Sequence, residues 1–261
     1  MSPKRATSSS IVARGLGRLG EIVSLLVETL RALGGLHRHR ERLWSELAGI
    51  GIGSVIFIMA TSTFMGIIVV SQTATQINRT IPDLTLLGAG FIRIMTSEMV
   101  PLIAGLMMSA RVGSGIASEV ASMVVTEQMD ALRLANTDPV EYIIAPKLVA
   151  SLIAVPVVGL LGLTAAIIAG AAVSWSVYDV HPSTFLNFRY TYGHHLLACM
   201  VKLLTFGAII PIAAVIEGFR TGRKGAFSVG QSATRGVIVS SFFIFMADLT
   251  LSLLQLGIWG A

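Results

Sequence analysis

SARVGSGIASEVASMVVTEQMDALRLANTDPVEYIIAPK, residues 109–147, is the longest polar interruption in a chain otherwise built of hydrophobic blocks. It carries five acids (Glu119, Glu127, Asp130, Asp138 and Glu141), answered by three bases, Arg111, Arg133 and Lys147. Between residues 114 and 136 the apolar positions Ile116, Val120, Met123, Val124 and Leu132 recur at helical spacing. Gly113, Ser114 and Gly115 are expected to break the helix that enters this stretch and let the chain turn. Asp138–Pro139 should end the segment and start the next helix, because aspartate caps and proline suits a first turn. An acidic helical segment between blocks that belong in lipid has the character of a docking surface for a partner.

The blocks on either side set the fold class. Of 261 residues, 54% are hydrophobic and 13% are charged, with a mean hydropathy of +0.78. An average soluble domain is about 25% charged, so this is an integral membrane protein with no room for a separate globular domain. Residues 47–78 carry no charge until Arg79 and exceed the roughly 20 residues a spanning helix needs. Glu98 and Arg111 stand too close together to enclose a span between them. The second span must therefore start near residue 84 and enclose Arg93 and Glu98, with Pro101 expected to kink it. Residues 148–178, 190–216 and 236–261 complete an all-α set of five spans.

Before the first span, Val12, Leu16, Leu19, Val23, Leu26, Leu30 and Leu33 form one apolar stripe interrupted by charges. This reads as an amphipathic helix in the membrane interface, with His37, Arg38, His39, Arg40 and Arg42 at the headgroups. A soluble helix packed on a partner is the alternative. Residues 1–46 thus form a lead and interfacial helix, and residues 47–261 the spanning domain. The N-terminal segment, residues 109–147 and residues 218–235 hold fifteen of the nineteen Lys and Arg. The positive-inside rule then places those segments and the N-terminus in the cytoplasm, and the C-terminus outside.

Glu98, Lys202 and Asp248 each fall near the centre of a span, where a charge costs at least ~2.5–3.5 kcal/mol on insertion scales. Lys202 and Asp248 are expected to pair across spans four and five, leaving Glu98 toward a polar cavity or a lipid headgroup pathway. A purely structural tie between helices is the plainer reading of all three. His194 and His195 are adjacent, point apart on a helix and read as interfacial residues rather than ligands. Cys199 is the only cysteine, which excludes an intrachain disulfide. HExxH, CxxC, GxSxG and the phosphate-loop pattern are all absent, so the chain is not expected to hydrolyse ATP. The charge distribution suits topology rather than nucleic-acid binding.

A short helix between spans on the cytoplasmic side resembles the coupling helix of ABC transporters, and Glu127, Ile143 and Pro146 match the loose importer spacing. The run ARVGSGIASEVASMVVTEQMDALRLANTDPVEYIIAPKLVA resembles the MlaE (YrbE) permease family more closely. Arg111, Gly113, Ser114, Glu119, Thr126, Glu127, Gln128, Ala131, Leu132, Asp138, Pro139, Pro146 and Lys147 fit that family's pattern. Glu98 and Pro101 match a family Glu-Leu-Gly-Pro, with Val100 in place of the glycine. Gly218, Val229, Gly230, Ala233, Thr234, Arg235 and Asp248 match its last loop and span, and Ala121 replaces a common glycine.

The resemblance implies a homodimeric permease in a bacterial inner membrane, moving phospholipid between inner and outer membranes. It implies a pair of cytoplasmic ABC ATPase subunits that bring ATP and Mg, and no cofactor in this chain. Further implied partners are a periplasmic MCE-domain protein and a small cytoplasmic STAS-domain subunit. By the same analogy Glu98, Met95, Met99 and Leu102 contact lipid, and Glu119, Glu127 and Asp130 in the 114–136 coupling helix, with Arg111 just before it, take the push of the ATPase. Two rivals come from other classes. An ion-coupled carrier or proton channel would use Glu98, Lys202 and Asp248 as a relay, and a membrane scaffold would only recruit a partner.

Overall fold

The structure is a computed structural model that describes residues 40–80, 87–186, 193–221 and 225–259, and among them every regular element is helical. The expected interfacial helix at residues 12–33 lies outside the described residues. α1 (Arg40–Ile50) leads into α2 (Ile52–Thr80), and together they give the first long apolar helix, Arg40–Arg79. Four more helices are long and apolar enough to cross a membrane: Leu87–Val125, Val140–Tyr178, Gly193–Phe219 and Ala226–Ile258.

The second of these is segmented. α3 (Leu87–Ile94), α4 (Val100–Met108) and α5 (Ser114–Val125) are joined by two π-helical turns, Met95–Met99 and Ser109–Gly113. The expected break at Gly113–Gly115 does not occur, and the helix runs on to Val125. Gly113 is used for packing instead, since a methyl there would sit 3.3 Å from Ser240 Oγ on span five. The turn comes later, at Thr126–Glu127, where Glu127 adopts φ 60° in the left-handed region. The segment read as one helix over 114–136 is therefore two, α5 and α6 (Gln128–Leu134). Asp138 behaves as its sequence predicts, with Oδ1 accepting from the Val140 amide at 2.9 Å.

A third π turn, Val140–Ile144, starts α7 (Ala145–Tyr178). The short α8 (Pro182–Phe185), α9 (Gly193–Phe219) and α10 (Ala226–Trp259) follow. α2 packs along α7, α9 lies against α7 and α10, and α5 is seated between α9 and α10. Small residues allow these approaches, as lipid-embedded helices require. A methyl on Gly66 would fall 2.6 Å from the Ala166 carbonyl oxygen. Similarly, Gly218 and Gly236 bring α9 and α10 against Val120 and Ala117 of α5. Phe206 fills the space beside Gly105, and Phe91 that beside Gly170.

Burial is uneven. Span four is well covered, whereas spans one and five are largely uncovered by the chain's own helices. Ile56, Phe64 and Ile68 of span one, and Phe242, Phe245 and Leu249 of span five, are exposed. Apolar surface of this extent belongs against hydrocarbon or another protein.

Candidate functional site

The polar centre of the bundle is Lys202 on α9, whose side chain is 1% exposed. Four oxygens surround its ammonium: Glu98 Oε2 at 2.7 Å, Ser252 Oγ at 2.8 Å, the Ser97 carbonyl at 2.9 Å and Asp248 Oδ1 at 3.0 Å. An ammonium has three protons to donate, so one of the four oxygens is held by charge alone. Asp248 Oδ1, buried and without a hydrogen bond, is that one. Ser252 Oγ also lies 3.1 Å from both Glu98 carboxylate oxygens.

The Ser97 carbonyl is available because of Pro101. In an α-helix, residue 101 would donate its amide to the carbonyl of residue 97, and proline has no N–H to give. The chain responds with the π turn over Met95–Met99, where the Val100 amide bonds the Met95 carbonyl five residues back. Pro101 then starts the next α segment near its N-terminus. The predicted kink is thus a widened turn, and Lys202 satisfies the carbonyl that Pro101 leaves open.

Lys202 and Asp248 are brought together, but so is Glu98, which shares the same ammonium instead of facing a cavity alone. The Glu98 side chain remains 40% exposed, so the cluster opens on one side. His195 stands at the 193 end of α9, the end of a span, and is buried there. Its Nδ1 lies 3.0 Å from Ser97 Oγ and 3.4 Å from Gln255 Nε2, and its ring lies tilted by 50° against that of His194, with centroids 4.2 Å apart. Asp248, Ser252 and Gln255 follow i, i+4, i+7 on α10, and His195 and Lys202 stand seven apart on α9. Two facing polar stripes therefore meet across these helices. Ser252, Gln255 and the Ser97 carbonyl escape a search for charged residues alone; the stripe on α10 and the spacing from Ser97 to Pro101 are the signals that reveal them.

Of the apolar residues assigned to lipid, Met95 is fully buried among Val70, Phe91 and neighbouring side chains, while Met99 and Leu102 are only partly buried. Met95 is therefore core, on the same buried face as Gly88, Phe91 and Ile92 at ordinary helical spacing.

A second polar network lies at the end of the bundle that carries residues 109–147. Lys147, 2% exposed, sits 2.6 Å from Glu46 Oε1 on α1 and 2.8 Å from Glu119 Oε2 on α5. Arg42 approaches Glu119 at 3.8 Å and lies over the Tyr142 ring, 4.4 Å from its centroid. Glu119, predicted for a partner, is thus engaged within the chain. Arg111, though exposed, reaches across to bond Ser54 Oγ and the Gly49 carbonyl where α1 meets α2. Asp130 pairs with Arg133 at 3.6 Å on the exposed α6, and Glu127 is exposed at the turn before it. Among the described residues no group of three His, Cys, Asp or Glu is placed to hold a metal ion.

A polar cluster opening onto an apolar exterior can hold the head of an amphiphile or carry charge. Comparison with known proteins narrows this. A probable ABC transporter permease protein of Synechocystis is 32% identical over 219 residues, covering 83% of this chain and 82% of that protein. One from Rickettsia bellii is 33% identical over 205 residues, 78% of each. Another, from Pyropia yezoensis, is 28% identical over 237 residues, 90% of this chain and 89% of its relative. Residues 43–254 match the model of the family described as Permease MlaE, and so this chain, a multi-pass membrane protein, belongs to the MlaE permease family.

Proposed function

We propose that this chain is the permease subunit of an ABC transporter that moves phospholipids between the inner and outer membranes of a bacterium. A separate cytoplasmic ATPase pair drives it by pressing on the 114–136 segment, now seen as α5 and α6. Two permease copies meet to enclose the lipid path, with a periplasmic MCE-domain protein on the far side and a STAS-domain subunit beside the ATPase. The N-terminus and residues 109–147 face the cytoplasm.

One observation carries this reading. Glu98, held by Lys202 and Asp248 inside the bundle, keeps 40% of its side chain exposed next to apolar faces that the chain leaves uncovered. Water-soluble cargo has no use for such apolar walls, and a bare ion needs no wide apolar flank. An amphiphile matches both parts, with its head at the charged cluster and its tails along the flank. The relatives' names as ABC transporter permeases support an ATP-driven cycle over an ion-coupled one.

The test is reconstitution of the permease with its ATPase in vesicles carrying fluorescent phospholipid. ATP-dependent, vanadate-sensitive lipid movement is expected. Movement that follows a pH gradient and ignores vanadate would establish the ion-coupled alternative, and no lipid movement under either drive would leave a scaffold.

A further inference from the structure

The principal packing of the helices leaves a gap in the path between α5 and span one. α5 packs on α9 and α10, whereas α1 and α2 pack on α7. Polar contacts cross that gap. Arg111, at the second π turn, holds Ser54 and Gly49 at the α1–α2 junction. Eight residues further on, Glu119 shares the buried Lys147 with Glu46 of α1. The network is charge-balanced, with Glu46 and Glu119 facing Lys147 and Arg42, and Tyr142 flanks Arg42. Lys147 stands at the start of α7, so α1, α5 and α7 converge on one ammonium.

We propose that Lys147 is the joint through which displacement of α5 reaches span one, with Glu119 and Glu46 as its positioning residues. This builds on the ATP-driven permease reading above. Parting Glu119 breaks a 2.8 Å charge-assisted bond and leaves the buried Lys147 ammonium with Glu46 alone, so the network resists separation. α5 and α1 are therefore constrained to move together, and span one, whose outer face is uncovered, carries that movement to the lipid-facing surface. Glu119 serves inside this joint and not as a contact to the ATPase.

The experiment uses the full permease assembled with its ATPase in phospholipid vesicles, recording ATP hydrolysis and transfer of a fluorescent phospholipid together. Glu119→Gln and Glu46→Gln are each expected to keep assembly and hydrolysis while lipid moved per ATP falls about fivefold or more, the low end of ordinary coupling between sites. The double variant should be more impaired than either single, because it strips the buried ammonium of both carboxylates. Spin labels at Ala48→Cys and Ser122→Cys, with Cys199→Ala, should keep their separation on adding ATP and lose that constancy in Glu119→Gln. Unchanged lipid per ATP in either variant would overturn the joint. So would loss of the ATPase from Glu119→Gln alone, which would make Glu119 a docking residue, or a label separation that already changes with ATP in the parent. An assembled parent that hydrolyses ATP and moves no lipid would instead refute the function proposed above, while the label distances still decide whether α1 and α5 move as one.

Discussion

Replacing Lys202 by methionine is the sharpest perturbation of the central cluster, because its cost follows from charge bookkeeping and geometry together. The intact cluster holds two carboxylates and one ammonium. Lys202→Met leaves Glu98 and Asp248 facing each other, takes away the ammonium that Ser252 accepts from and reopens the Ser97 carbonyl that Pro101 cannot close. Removing one member of a buried ion pair typically costs about 3–5 kcal/mol. Asp248→Asn should be far milder, under about 1 kcal/mol, since Asp248 Oδ1 lacks a hydrogen bond and its loss balances Lys202 against Glu98 alone. Glu98→Gln should fall between, at about 1.5–3 kcal/mol for its charge-assisted bonds, reduced by its partial exposure. Cys199 supplies the assay: it is the only cysteine, fully buried, one helical turn before Lys202. Maleimide labelling of Cys199 in detergent, under conditions where opening limits reaction, should accelerate for Lys202→Met by a factor between about 10² and 5 × 10³. Lys202→Met/Asp248→Asn should label more slowly than Lys202→Met, having shed one of two opposed carboxylates. Equal labelling of Lys202→Met and Asp248→Asn would refute the reasoning.

Pro101→Ala restores an amide four residues after Ser97, which competes with Lys202 for that carbonyl; stability should stay within about 1 kcal/mol while lipid transport falls, as a shorter turn rotates Glu98 away. Gly66→Val forces a branched side chain against the Ala166 backbone and should cost about 1–3 kcal/mol or more, read as a lowered melting temperature in detergent. Glu127→Gly relieves a left-handed backbone and should raise stability by about 0.5–1 kcal/mol. If the Glu127 carboxylate docks the ATPase, pull-down of that ATPase should weaken in the same variant; undiminished assembly would remove Glu127 from the docking surface.

Much of this architecture is legible from pattern. The spans are visible because long uncharged runs have few alternatives in lipid, and the meeting of Lys202 with Asp248 follows from equal depth on adjacent helices. What eludes the pattern has a common cause. Helical periodicity assumes 3.6 residues per turn, and the π turns at Met95–Met99 and Ser109–Gly113 each shift the phase of span two. The second of them also carries the helix past Gly113 without a break. Pro101 is visible as a disturbance, but its consequence, a carbonyl offered to Lys202, requires knowing that α9 passes there. Glu119 reads as a partner-facing acid because its basic neighbours, Lys147 and Arg42, are distant in sequence and meet it only through the fold.

The two polar networks are linked by the helix that serves both. A regular α-helix presents one stripe to one set of neighbours along its length. Span two must present Glu98 to α9 and α10, then Arg111 and Glu119 to α1 and α7. The rod stays packed on α9 and α10 while Arg111 and Glu119 reach from it to α1, α2 and α7, so a single helix addresses two sides of the bundle. The α segments between its π turns remain stiff, and displacement at α5 has a continuous backbone path to Glu98 as well as the polar path through Lys147. If both paths act, shortening either π turn by one residue should misalign the end beyond it. Deleting one residue at 109–113 should disturb Glu119 and leave the Lys202 cluster closed, with Cys199 labelling unchanged. Deleting one at 95–99 should raise Cys199 labelling while Lys147 keeps both carboxylates.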